Sequence, residues 1–171
     1  MIELVVLDID GILTDGKKYY GLDGMPFAKT YCDKDFTAIK RMRAAGLKVC
    51  FLSGDNKINE AMANNRNIDF YYARGKDKVE FLDMLCKTYN TESSKILYIG
   101  DDLFDINIMK AVGYPFCPQD APDIVKNVCH VLDGNGGQNL VCKLVDFLLR
   151  KGYIKDTSLH EIEKLDKEEK F

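Results

Sequence analysis

At 171 residues, with 24 Lys and Arg against 27 Asp and Glu, the chain is long enough for one domain with a full core, and its acidic balance argues against nonspecific nucleic-acid binding. No apolar run reaches membrane-spanning length, and the first residues already read as a strand. Neither a membrane span nor a secretory leader is therefore expected, and the expected location is cytoplasmic. Six cysteines (Cys32, Cys50, Cys86, Cys117, Cys129 and Cys142) occur without a C-x-x-C pair and read as reduced thiols.

In chain order, Glu3 to Gly11 is apolar enough for a strand buried on both faces, yet it closes on Asp8 and Asp10. Lys17 to Tyr31 reads as a β-hairpin around Gly21-Leu22-Asp23-Gly24. A helix is predicted over Asp35 to Ala45, stopped by Gly46, and then a strand over Leu47 to Leu52 ending at Ser53-Gly54. Asn56 to Arg66 reads as a helix, Ile68 to Tyr72 as a strand, and Asp77 to Tyr89 as a helix with Val79, Leu82, Leu85 and Cys86 on one face. The strand Lys95 to Ile99 ends at Gly100-Asp101-Asp102, and Leu103 to Val112 is helical. Tyr114 to Cys117 is a short strand, Ala121 to Asn127 a helical turn or two, and Val128 to Leu132 a last strand. After the loop Gly134-Asn135-Gly136-Gly137 a helix is predicted over Gln138 to Lys151. The alternation implies an α/β, doubly wound parallel sheet occupying residues 1–154, with the hairpin at 17–31. The charged tail, 155–171, has weak helical periodicity through Leu159, Ile162 and Leu165 and reads as a solvated helix, a disordered end, or an arm on a neighbouring subunit, with disorder or solvation preferred.

The strand ends carry the chemistry. Asp8, Asp10, Ser53, Asp101 and Asp102, with Lys78 near a helix start, converge on one crevice in such a sheet. Burying carboxylates costs several kcal/mol unless a cation compensates, and an oxygen-rich cluster suits Mg²⁺. Carboxylates, a hydroxyl and a lysine around a metal suit phosphoryl transfer, which needs in-line positioning and neutralised charge. His130 and His160 have no partner pattern and read as structural or exposed.

Asp8-Ile9-Asp10-Gly11, Ser53-Gly54, Lys78 and Gly100-Asp101-Asp102-Leu103-Phe104-Asp105 resemble, in order, the four motifs of the haloacid dehalogenase superfamily of phosphatases. The resemblance covers residues 2 to about 150. It implies that Asp8 is the nucleophile and forms an aspartyl-phosphate, and that Asp10 is the proton-transferring acid and base. Ser53 and Lys78 would grip the phosphoryl oxygens. Mg²⁺ would sit on the side chains of Asp8 and Asp101 and the carbonyl of Asp10. Asp102 and Asp105 would ligate through water or orient the shell.

Neither interval between the first three motifs can hold a cap domain. The hairpin and the stretch Asp10 to Gly16 are similar to the 3-deoxy-D-manno-octulosonate 8-phosphate phosphatase branch, which includes phosphatases for nonulosonate 9-phosphates. That likeness implies a sugar-acid phosphate substrate and a homotetramer held by hairpin contacts. Its candidate substrate-binding residues are Thr14, Asp35, Gly54, Asp55, Arg74 and Lys76. The chain departs from the branch at Asp55, where octulosonate enzymes usually carry a base, at Ala73-Arg74, and at Phe104. It also has Asn135 and Cys142 where arginines often stand, so Arg74 or Lys76 is the expected cation for the sugar carboxylate. The alternative reading is a catalytically weak oligomerisation module; a receiver domain lacks its acceptor aspartate here, and a mutase lacks its cap.

Overall fold

The computed structural model describes residues 1–170. Its elements are β1 (Leu4–Leu7), β2 (Tyr19–Tyr20), β3 (Pro26–Ala28), α1 (Asp33–Ala44), β4 (Lys48–Ser53), α2 (Ile58–Asn65), β5 (Asp69–Tyr72), α3 (Leu82–Tyr89), β6 (Ile96–Ile99), α4 (Ile106–Ala111), β7 (Tyr114–Pro118), α5 (Asp123–Lys126), β8 (His130–Leu132), α6 (Leu140–Arg150) and α7 (Leu159–Asp166).

Six strands form one parallel sheet in the order β5-β4-β1-β6-β7-β8. β1 is central because all four of its residues are apolar and shielded from water, each contributing about 1.5–3 kcal/mol of burial. Its alternate residues feed opposite faces. Val5 and Leu7 join a core with Ile39 and Met42 of α1 and Leu144 and Leu148 of α6. Leu4 and Val6 join Leu85 of α3 and Ile108 of α4 on the other face. The chain leaves β1 toward β4 and leaves β6 toward β7, on the opposite side. That reversal opens a crevice at the carboxyl ends of β1 and β6, where such sheets bind ligands.

Between β1 and β4 there is only the β2–β3 hairpin and α1; between β4 and Lys78 there is only α2 and β5. The expected absence of a cap between these motifs therefore holds among the described residues. The hairpin pairs Tyr19 with Ala28 and Tyr20 with Pro26 and leaves Tyr19, Tyr20, Leu22, Met25 and Phe27 exposed.

Two predicted helices begin differently. Lys78–Phe81 and Leu103–Asp105 are 3₁₀ turns ahead of α3 and α4, each opened by an aspartate, Asp77 or Asp102, in a reciprocal capping box. Of the tail, residues 155–170 are described, Phe171 lying outside them, and they carry the helix α7. Ser158 caps α7 in a capping box, and the segment lies along α1 through Lys40 to Asp166 and Glu169, and Arg43 to Glu168. Its outer face is solvated, as the periodicity suggested. No helix among the described residues is long and apolar enough to cross a membrane.

Candidate active site

After β1 the chain turns sharply. The backbone N–H groups of Ile12, Leu13 and Thr14 all donate to the Ile9 carbonyl, and Gly11 takes φ +79°. A side chain at Gly11 would put Cβ 1.9 Å from Asp101 Oδ2, so glycine is what lets the two acidic loops meet. The later loop closes on the same turn: Gly137 N–H donates to the Ile12 carbonyl, and a Cβ at Gly136 would stand 1.9 Å from the Gly11 carbonyl oxygen.

Asp8 is buried, and its Oδ1 accepts from the Ile9 amide at 2.7 Å. Lys78 Nζ donates to Asp8 Oδ2 at 2.6 Å, to Asp105 Oδ1 at 2.6 Å and to the Tyr98 hydroxyl at 3.1 Å. Tyr98 in turn donates to Asp105 Oδ1 at 2.6 Å. Asp105 Oδ2 accepts from the amides of Asp101 and Asp102, both at 2.9 Å. Asp105 is thus fully buried with both oxygens engaged, and it organises the loop that carries Asp101. Burial pushes the Asp8 carboxyl up to about 7, Asp105 adding to the rise and Lys78 opposing it. Burial, and then the like charges of Asp8, Asp105 and Asp102, push Asp101 up to about 8. Burial also raises Tyr98 well above its usual range, keeping it a neutral donor.

Carboxylate oxygens of Asp8, Asp101 and Asp105 lie within 4.8 Å of one another. One lysine against three crowded carboxyl groups is too little positive charge to keep Asp8 and Asp101 ionised, as their upward shifts record. No hydrogen bond occupies the Asp101 side chain among the described residues. These residues fit a hard divalent cation with oxygen ligands. Asp8 and Asp101 are the natural direct ligands, because Asp105 has little lone-pair capacity left.

The second arm of the site comes from β4. Ser53 is buried, and its Oγ accepts from the Asp55 amide at 3.2 Å and from Asn59 Nδ2 at 3.1 Å. Gly54 borders open space. The Asp10 carboxylate meets Lys29 Nζ, 2.8 Å from Oδ1, and Asn59 Nδ2, 3.1 Å from Oδ2. Asp55 Oδ2 lies 2.6 Å from Lys29 and 2.9 Å from Lys18. Burial would raise Asp55, but the hydrogen bonds from the two lysines outweigh it and hold the carboxyl at about 2. Arg74 and Lys76 stand on the loop after β5, Arg74 exposed and Lys76 5.7 Å from the centre of the Phe81 ring.

Thr14 and Asp35 are placed otherwise than expected, whereas Asp102 stays at the edge of the acidic group. Thr14 is buried inside the turn: its Oγ1 accepts from the Gly16 amide at 3.1 Å and donates to Asp10 Oδ1 at 3.5 Å, so it shapes the loop and offers substrate nothing. Asp35 is fully buried, and its Oδ1 accepts from the Val141 and Cys142 amides at 2.9 and 3.1 Å. It caps α6 from a neighbouring helix because Asn139, at φ +59°, makes no side-chain cap of its own. Asp102 lies outside the three-carboxylate group; its Oδ1 accepts from the Leu103 amide at 2.6 Å. The motifs gave no hint of Lys29, Asn59 or Tyr98. Tyr98 was hidden as one aromatic in an apolar strand, and Lys29 lies on a hairpin that reads as surface.

A family model for haloacid dehalogenase-like hydrolases matches residues 55–139. The chain is 32% identical, over 162 residues, to the 3-deoxy-D-manno-octulosonate 8-phosphate phosphatase of Haemophilus influenzae, covering 92% of this chain and 89% of that one. The cobalt-bound form of the deoxy-D-mannose-octulosonate 8-phosphate phosphatase from Haemophilus influenzae, 32% identical, superposes with a TM-score of 0.81 over 87% of this chain and 88% of the other. The Yersinia pestis 3-deoxy-D-manno-octulosonate 8-phosphate phosphatase gives a TM-score of 0.79 at 28% identity, over 96% of this chain and 84% of the other.

Proposed function

Because this chain belongs to the haloacid dehalogenase-like hydrolases and is a phosphoric monoester hydrolase, we propose that it removes the phosphate from a sugar-acid phosphate, 3-deoxy-D-manno-octulosonate 8-phosphate or a nonulosonate 9-phosphate. The observation that carries the mechanism is the Asp8–Lys78–Asp105 chain at 2.6 Å spacings beside Asp101.

Asp8 attacks phosphorus in line. The bond from phosphorus to the ester oxygen breaks as the bond to the Asp8 carboxylate oxygen forms, giving an aspartyl-phosphate. Lys78, held by Asp105 and Tyr98, keeps the Asp8 carboxylate aimed and is close enough to meet a phosphoryl oxygen. Ser53 Oγ and the open backbone at Gly54 offer donors to the other oxygens. Asp10 gives its proton to the departing sugar oxygen. It then takes one from the water that hydrolyses the aspartyl-phosphate, which frees Asp8 and phosphate. A divalent cation on Asp8, Asp101 and the Asp10 carbonyl, most simply Mg²⁺, would supply the positive charge that lets an anionic carboxylate approach an anionic phosphate.

Specificity for an acid would come from the cations on the loop after β5, the exposed Arg74 first. The exposed aromatics of the hairpin support a homotetramer in which neighbours cover that surface, because a monomer would leave Tyr19, Tyr20, Leu22, Met25 and Phe27 in water. The deciding experiment is phosphate release with Mg²⁺ from octulosonate 8-phosphate, nonulosonate 9-phosphates and neutral hexose phosphates. A preference for one sugar acid, lost in Asp8→Asn, supports the reading. Equal rates on acidic and neutral sugars would sink the substrate assignment.

A further inference from the structure

The hairpin reaches the crevice through one side chain. Lys29 follows β3, and its side chain is 0% exposed. Its ammonium lies 2.8 and 2.9 Å from the two oxygens of Asp10, 2.6 Å from Asp55 Oδ2 and 2.9 Å from Asn59 Oδ1. Asn59, fully buried at the start of α2, donates through Nδ2 to Asp10 Oδ2 at 3.1 Å and to Ser53 Oγ at 3.1 Å. Its Oδ1 also accepts from the Tyr31 hydroxyl at 3.0 Å. Two donors on one side of the amide and two acceptors on the other fix its orientation.

Burying an ammonium is costly, and here three oxygen-bearing partners compensate. A tether for the hairpin alone would not need this arrangement, since Lys18 already reaches Asp55 at 2.9 Å from a more exposed position. The contact that a tether does not require is the one to Asp10, gripped from the hairpin by Lys29 and from α2 by Asn59.

We infer that Lys29, together with Asn59, is a positioning residue for Asp10, holding its carboxylate at the angle from which it exchanges a proton with the leaving oxygen and then with water. The inference rests on the roles assigned to Asp8 and Asp10 above. Lys29 itself gives up no proton. The ester O–P bond breaks as the Asp8 O–P bond forms, and the proton on the leaving oxygen comes from Asp10. Asn59 joins Asp10 to Ser53, so the group that protonates the leaving oxygen and the hydroxyl beside the phosphate share one amide.

The test compares octulosonate 8-phosphate, whose alkoxide needs a proton to leave, with p-nitrophenyl phosphate, whose phenolate leaves without one. Lys29→Met should lower kcat/KM for the sugar ester by about 10²-fold, the scale of a misplaced catalytic group, and for the aryl ester by much less. Lys29→Arg should recover part of the loss. In an Asp10→Asn background, Lys29→Met should cost nothing more, because two residues acting through one step are not additive. Asn59→Ala, which leaves every charge in place, should follow the same pattern and covers the case in which Lys29→Met folds poorly. Equal losses on both esters, or a further loss in the Asp10→Asn background, would overturn the inference. If the wild type cleaves only the aryl ester, the sugar-acid assignment fails. The double-mutant comparison on kcat then still decides the clamp, since Asp10 activates water whichever group has left. A wild type inert toward both esters would overturn the catalytic roles and the clamp together.

Discussion

Lys78 Nζ lies 2.6 Å from Asp8 Oδ2, and both side chains are almost excluded from water, 6% and 9% exposed. A buried pair of this kind is poor evidence for stability, since desolvating both ions offsets much of their attraction. In the proposed mechanism its value is in holding the attacking oxygen still. Asp8→Asn should abolish phosphate release. Because it also relieves crowding with Asp101 and Asp105, the metal-free melting temperature should stay level or rise. Lys78→Met should lower kcat by about 10²–10³-fold, as removal of a donor to a charged transition state does. Steady-state kinetics with parallel thermal melts checks both; appreciable turnover by Asp8→Asn would refute the nucleophile assignment.

The three clustered carboxylates predict a metal-dependent fold as well as a metal-dependent reaction. EDTA should silence turnover and Mg²⁺ should restore it. A cation at a hundredfold above its Kd adds about 2.7 kcal/mol to the folded state. For a chain of this size that raises the melting temperature by roughly 5–10 °C. Differential scanning calorimetry with and without Mg²⁺ measures it. Asp101→Asn should remove most of the metal-induced shift while raising the metal-free melting temperature, and an unchanged shift would place the cation elsewhere.

Asp55 gives a pH dependence of defined sign. Its folded-state value, about 2, lies below the ordinary 3.8, because Lys29 and Lys18 favour the charged carboxylate more than burial disfavours it. A depressed value means that the contribution is fully present above about 3.8 and is lost as the pH falls toward about 2. Urea titrations across that window should show the wild type losing stability more steeply than Asp55→Asn. Parallel curves would mean that the two lysines do not favour the Asp55 carboxylate in solution.

Much of the candidate site was legible in the sequence, because its acidic clusters are local. Two aspartates closing a buried strand, and two more closing another, need a shared reason wherever the sheet places them. Asp8 and Asp101 come together where that argument puts them, with Lys78 on Asp8, and Ser53 joins Asp10 through Asn59. Residues whose task depends on tertiary neighbours were not legible. Asp35 looks like a site residue in sequence, yet it caps a helix that begins more than a hundred positions later. Thr14 faces its own turn. Lys29 looks like a surface lysine on a hairpin, and only the fold brings it under Asp10. The hairpin itself and the alternation of strands with helices were readable from periodicity and spacing, and the lack of a cap from the short intervals between the motifs of the resemblance. The 3₁₀ openings before α3 and α4 were not, because a capping aspartate looks the same ahead of either helix type.

The tail shows the same limit and yields the last prediction. Charge and weak periodicity describe a solvated segment, but they do not reveal which cations wait for it. Lys40 on α1 is 7% exposed in its side chain and has Asp166 and Glu169 as partners, while Arg66 donates to Glu169 Oε2 at 2.6 Å. Glu169, itself 6% exposed, therefore joins α1 to the end of α2 from outside the sheet. Glu169→Ala leaves Lys40 and Arg66 short of a buried acceptor and should cost about 1–3 kcal/mol, the usual range for a lost hydrogen bond to a charged group. The melting temperature should fall by roughly 2–10 °C. Turnover at 25 °C should be unaffected, because none of these groups touches the crevice. Glu169→Gln, which keeps an oxygen acceptor, should recover part of the loss. A melting temperature unchanged by Glu169→Ala would mean that α7 does not stay docked in solution. Lost turnover with normal stability would instead implicate the tail in the reaction.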